Sequence, residues 1–160
     1  MSVIETILEH VSQCLNTARP AGVPEAVRER EIALRSEDLP AIDFFQDLES
    51  VTGLHGRGDV VAVGTRPSEI VKRRLDVMVV CSAASTIDAA GVTTTRASAN
   101  LDPLRAWAIS SICGADWSGV ADGAVEVDTK FVYGNLDAPL AQAQIRFRVQ
   151  YTSTFGSIDP

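Results

Sequence analysis

The sequence predicts an α+β fold, an antiparallel sheet of four to five strands with two helices packed on one face. Three observations predict it. Ala141, Ala143, Ile145, Phe147, Val149 and Tyr151 alternate with Gln142, Gln144, Arg146, Arg148 and Gln150, the period-two signature of a strand with one buried and one polar face. Ile4, Ile7, Leu8, Val11 and Leu15 fall on one helical face instead. The order helix, strands, helix, strands is not the strict βαβ alternation of a parallel sheet.

Taken in order, the first helix is predicted over 2–18. Ser2 is placed to cap it with Glu5 three residues later, and Arg19-Pro20 and Gly22 end it. Residues 20–40 are polar and dense in charge, including Arg28, Glu29, Arg30 and Glu31, and read as a connection contributing little to the core. Pro40 disfavours helix at Leu39, so 41–45 reads as a short strand that 47–54 extends or pairs with. Gly53, Gly56 and Gly58 predict a turn around His55 and Arg57, and Val60, Val61 and Val63 resume a strand pattern over 59–63.

The stretch 69–81 predicts a long strand. Arg73, Leu75, Val77, Val79 and Cys81 alternate with Lys72, Arg74, Asp76, Met78 and Val80, so the charged first half is expected to project beyond the core. Residues 82–100, rich in Ala, Ser and Thr, have no strong period and read as an irregular connection. A second helix is expected from a cap at Asn100 or Asp102, with Pro103 near its first turn, Leu104, Trp107, Ala108 and Ile112 along one face, and Gly114 as its stop. Over 123–133, Val125, Val127, Thr129, Phe131 and Tyr133 share one side and Glu126, Asp128 and Lys130 the other, a half-buried strand expected to pair antiparallel with 141–151.

Composition limits the function. The 160 residues are 46% apolar and 22% charged, which fits one soluble domain spanning 1–160, with no internal repeat or low-complexity segment. The net charge of −7 has the wrong sign for holding nucleic acid through its phosphates. The longest uncharged run, 77–87, is far short of the about 20 residues needed to span a bilayer, so no membrane association is expected. Glu5 and Glu9 stand where a secretory signal would be basic and then apolar, so a reducing cytoplasm is expected. Cys14, Cys81 and Cys113 are an odd number with wide gaps and read as free thiols rather than a disulfide framework or zinc site.

No local motif predicts catalysis, a cofactor or a metal. His10 and His55, the only histidines, do not stand at ligand spacing, and no G-x-S-x-G elbow occurs. The glycines at 53–58 match neither the dinucleotide nor the P-loop pattern, and Arg57-Gly58-Asp59 reads as chance in a chain expected to stay inside the cell. Asp116 and Asp122 flank Trp117 and Gly119 in a turn too sparse in ligands for calcium. Lys72, Arg73 and Arg74, with Arg146 and Arg148, are basic spots on strands of an acidic protein. They read either as a sheet face balanced by Glu126, Asp128 and Asp76 or as a subunit contact.

The order of these features resembles a known family. The N-terminal helix, the entry Glu37-Asp38-Leu39-Pro40-Ala41 into a strand, the Arg-bearing strand RRLDVMVV, the helix LDPLRAWAISSI and the ending FRVQYTSTFGSIDP are together similar to tailed-phage tail terminators of the lambda-type minor tail protein U group. The likeness spans nearly the whole chain and is closest at Tyr151-Thr152, at Asp159-Pro160 and at Leu39-Pro40-Ala41; the connector 20–34 has no counterpart.

The resemblance implies a non-enzymatic virion protein assembled in the host cytoplasm. It implies a homo-oligomeric ring, usually a hexamer, that caps the tail tube protein at the head-proximal end and offers its other face to a neck or head-completion protein. One tube-like face and one unlike face would stop a heterologous polymer, and a ring of copies at −7 would not grip DNA in its channel. The expected contacts are Arg57, Lys72, Arg73, Arg74, Arg146 and Arg148, meeting acidic residues of a neighbour, with 53–58 ordering on docking. A tail-completion or head-tail joining protein is the nearest alternative. A small α+β enzyme or ligand-binding domain is the alternative of a different class.

Overall fold

The computed structural model describes residues 2–17, 19–30, 34–55, 70–135 and 139–154. Two helices and a five-stranded sheet make an α+β fold, with a two-stranded hairpin beside it. Helix α1 runs Val3–Asn16 and buries Val3, Ile7, Leu8, Val11 and Leu15. Its cap is the expected one: Ser2 Oγ accepts from the Glu5 N–H at 3.2 Å, filling one of the backbone donors left open at a helix start.

The connector is less passive than its composition suggests. Strand β1 (Val27–Arg28) adds to the sheet in parallel, Val27 opposite Asp43 and Arg28 opposite Phe44, so the sheet is mostly antiparallel rather than wholly so. Ala26 is buried in the core and Val23 packs against it. The Asn16 side chain accepts from Ala26 N–H at 3.0 Å, and Arg28 pairs with Glu5 at 2.5 Å. These contacts with α1 hold the connector on the domain although it lacks apolar periodicity.

Strand β2 is one continuous element, Ala41–His55, bent by bulges at Gln46/Leu48 and Val51/Gly53. Strand β3 (Ile70–Ala84) and strand β7 (Pro139–Thr154) form the centre, and β6 (Gly123–Asn135) lies outside β7. The sheet order is β1-β2-β3-β7-β6. The expected turn glycine Gly53 is therefore within β2, while Gly56, Gly58, the 59–63 strand and the Arg57-Gly58-Asp59 motif lie outside the described residues.

The stretch expected to be irregular holds the end of β3, the hairpin β4 (Thr86–Ile87) with β5 (Thr93–Thr95), and the start of α2 (Ala97–Cys113). The second helix thus begins before Asn100, and Pro103 is inside it, not in its first turn. The cap comes from elsewhere in the chain. Ser85 Oγ accepts from Ala97 N–H at 3.1 Å, and the Asn100 amide donates to Ala84 O at 2.8 Å and Thr86 Oγ1 at 3.0 Å. Leu101, Leu104, Ala108 and Ile112 face the sheet, Trp107 is half-buried, and Gly114 ends the helix as expected.

Both helices pack on one face of the sheet. The inward row of β7 from Ala141 to Tyr151 and the row Leu75, Val77, Val79 and Cys81 of β3 are buried beneath them, with Ile42 and Phe44 from β2. Cross-strand partners share a face. Gln142, Gln144, Arg146, Arg148 and Gln150 therefore stand on the opposite, outer face with Asp76, Met78, Val80 and Ser82 of β3.

Candidate functional site

The outer face is organised around the two arginines of β7. Arg148 grips Asp76 with both arms, Nε to Oδ1 at 2.8 Å and Nη2 to Oδ2 at 2.9 Å. Asp76 is only 2% exposed although, among the described residues, no layer of secondary structure covers this face. Its hydrogen bonds to the Arg148 guanidinium hold its carboxyl below the usual carboxylate range, against the opposing effect of burial. Arg146 lies between two acids, Asp47 at 3.2 Å and Asp128 at 3.3 Å. Arg74 donates to Ser50 Oγ at 2.6 Å, and Arg30 to Asp43 at 2.6 Å.

Arg73 is on the helix-side face, because successive residues of a strand point to opposite sides. Its guanidinium donates to Glu49 at 2.9 Å and to Ser153 Oγ at 2.8 Å. Tyr151 donates to the same Glu49 oxygen at 2.5 Å, and burial together with that bond raises the phenol above its ordinary value. The charged end of β3 is thus laced to β2 and β7 rather than projecting bare. The pleat also separates Arg73 from Arg74 and exposed Lys72, which the sequence groups together. Asp128 and Asp76 balance Arg146 and Arg148 as one of the two sequence readings has it, but Glu126 does not. It is opposite Phe147 on the helix side, 3.7 Å from Arg105 of α2. Arg57 lies outside the described residues.

The sequence reading misses the two edges of the sheet. The β6 pattern predicts Val125, Val127, Thr129, Phe131 and Tyr133 on one buried side. A bulge at Glu126/Asp128 breaks that alternation, leaving Val125 opposite Arg148 on the outer face and Phe131 opposite Ala143 on the helix side. Among the described residues neither side is fully covered there, Arg105 of α2 alone reaching over Phe131. Val125, Val127, Phe131 and Tyr133 are all exposed, Tyr133 to 68%. Across the sheet, Phe45, Leu48 and Val51 of β2 are exposed too. Among the described residues, seven of the nine exposed large hydrophobics are on β6, an edge strand, and on β2, which β1 flanks only at Asp43 and Phe44; the others, Ile87 and Val92, belong to the small hairpin.

The remaining candidates occupy ordinary structural places. His10 packs edge-on against Trp117, with ring centres 4.5 Å apart. Asp116 accepts from Ser118 N–H at 2.9 Å in the turn after α2, as the sequence suggests. Cys14 is half-buried, Cys81 buried and Cys113 exposed, all as free thiols. Among the described residues no group of three or more His, Cys, Asp or Glu could hold a metal, and no helix is long and apolar enough to cross a membrane. A groove of about 580 Å³ between α2 and the connector is lined by Val23, Leu39, Pro40, Ala83, Asn100 and Leu104 among others, none of its lining side chains being ionisable. Compared with known proteins, the chain matches no family model and no curated protein.

Proposed function

We propose that this protein is a ring-forming structural component of a tailed-phage particle, a tail terminator that caps the completed tube and stops its growth. The assembly half of this reading is carried by one observation, the concentration of exposed large hydrophobics on the two opposite edges of a single sheet. Exposed apolar strand edges are association surfaces, which isolated domains normally blunt. Two different edges on one chain favour a heterologous contact, which closes into a ring when its rotation closes. The terminator half is supported by the sequence resemblance, which supplies the tube, the neck or head-completion partner and the hexameric expectation.

The contact residues shift under this reading. Arg146, Arg148, Arg73 and Arg74 are held by groups of their own chain, so their role is to set the shape and charge balance of the edges. Reversing Arg73 to Glu would put a carboxylate against Glu49, so lost capping in that variant would report a damaged strand pair.

The test is light scattering of the purified protein over a range of concentrations, with electron microscopy alone and after mixing with tail tubes. Closed rings that seat on tube ends are the expected result. A protein that remains monomeric at high concentration refutes the assembly reading, and rings that ignore tube ends refute the terminator reading in favour of another neck component.

A further inference from the structure

We propose that neighbouring copies join by antiparallel pairing of β6 in one copy with the Phe45–His55 stretch of β2 in the next, with β1 acting as the stop that sets the register. The inference rests on the ring reading above and names the surfaces that make it.

Backbone groups supply the first argument. Strand β1 occupies the outer edge of β2 only at Asp43 and Phe44, with one further bond from Glu29 N–H to Phe44 O at 2.9 Å. Beyond Phe44, β2 is paired among the described residues only with β3, and β6 only with β7. Among the described residues each therefore presents a row of N–H and C=O groups with no strand partner, a template for another strand.

Polarity is the second argument. β2, β3, β7 and β6 alternate in direction, so β6 runs opposite to β2. A copy rotated about an axis along the strands keeps those directions, and its β2 meets β6 antiparallel. Self-pairing of β6 would leave Phe45, Leu48 and Val51 uncovered, and self-pairing of β2 would leave the β6 apolars uncovered. One β2–β6 contact covers both.

Charge is the third. Both edges carry acids that would repel, yet each is engaged within its own chain: Asp47 and Asp128 by Arg146, Glu49 by Arg73, and Glu126 by Arg105. These partners reduce the repulsion between the two edges, and exposed Lys130 of β6 adds a cation facing the acids of β2. The bulges at Gln46/Leu48, Val51/Gly53 and Glu126/Asp128 leave 48–51 and 128–135 as the regular segments. Leu48, opposite Asp76, and Lys130, opposite Gln144, are then both on the outer face of a continuous sheet.

The experiment uses full-length protein carrying Cys14→Ser and Cys113→Ser, with either Leu48→Cys or Lys130→Cys added. The two preparations are mixed and treated with a short bis-maleimide. Because strand register is sharply specified, the mixture should give about tenfold more covalent dimer than either preparation alone. Dimers from either variant by itself indicate self-pairing of one edge and overturn the proposal. So does preferential coupling of Lys130→Cys to an Arg28→Cys partner, which would put the neighbour along β1. Rings by light scattering without any β2–β6 coupling also overturn it while leaving the ring reading intact, whereas a monomer at every concentration overturns both.

Discussion

Replacing Arg148 with leucine separates a structural role for this arginine from a contact role. Asp76 is 2% exposed, and Arg148 provides both of its charge-assisted hydrogen bonds, at 2.8 and 2.9 Å. Removing one partner of a buried pair leaves an uncompensated charge, at a cost of about 3–5 kcal/mol. The lower end applies, because the Arg148 side chain is itself 27% exposed and Arg74 and Arg146 remain near Asp76. A loss of about 3 kcal/mol at pH 7 corresponds to a melting temperature lower by about 6–12 °C in a domain of this size. The sign of the pH dependence follows. In the native protein Asp76 has a lowered pKa, so its stabilisation is present above the unfolded carboxylate value of about 4 and disappears as pH falls through the folded value. Without Arg148 the largest lowering influence is gone and burial raises the folded value, so the variant's deficit is largest at neutral pH and fades on acidification. Urea denaturation at pH 7 and at pH 4 should show the gap between native and Arg148→Leu protein narrowing. A loss under about 1 kcal/mol at pH 7 would refute the reasoning, since that is the range of an exposed pair. So would a gap independent of pH. A fully stable variant that no longer assembles would instead make Arg148 a contact residue.

Two further outcomes separate the core from the edges. Phe147→Ala, at a fully buried position of β7, should cost about 3–5 kcal/mol in chemical denaturation, while Phe131→Ala, 43% exposed with Arg105 5.6 Å from its ring centre, should cost at most about 1 kcal/mol. Sedimentation velocity should show the Phe131 variant weakened in self-association; unchanged association would count against the edge as a contact. With a thiol reagent, exposed Cys113 should react first, and Cys81, whose thiol burial pushes up to about 12, only after denaturant is added. Rapid labelling of Cys81 in native Cys14→Ser/Cys113→Ser protein would contradict its burial.

The sequence makes the interior strands readable because the residues of β7 from Ala141 to Tyr151 obey one period, and each inward position among them is buried. Helix α1 is readable for the same reason, with a cap written three residues apart. The start of α2 is not readable, because the groups that organise it, Ser85 and Ala84, belong to the end of β3 and meet Ala97 and Asn100 only after folding. Pro103 then resembles a first-turn proline although a full turn of helix precedes it. The β6 face is misread for a different reason: a bulge adds one residue without leaving a compositional mark, and everything beyond it changes sides. Alternation reveals which residues travel together, not whether anything covers them, so the exposed edge was invisible in a pattern typical of a buried one.

Arg146 links these observations to the assembly reading. It is on a central strand, yet the acids it joins, Asp47 and Asp128, belong to the two opposite edges of the sheet. An exposed ion pair contributes little to folding, about 0–1 kcal/mol, so stability alone gives little reason for one cation between two edge carboxylates. The arrangement does change the edges: one guanidinium shared by two carboxylates offsets part of the acidic charge where each edge also exposes apolar side chains. Among the described residues, Asp47, Asp76, Asp128, Arg146 and Arg148 of the outer face pair within the chain, and large apolar groups on β2 and β6 are exposed. That distribution suits surfaces that meet each other. Under it, Arg73, Arg74, Arg146 and Arg148 prepare the contact from behind, and Phe45, Leu48, Val51, Val125, Val127, Phe131 and Tyr133 make it.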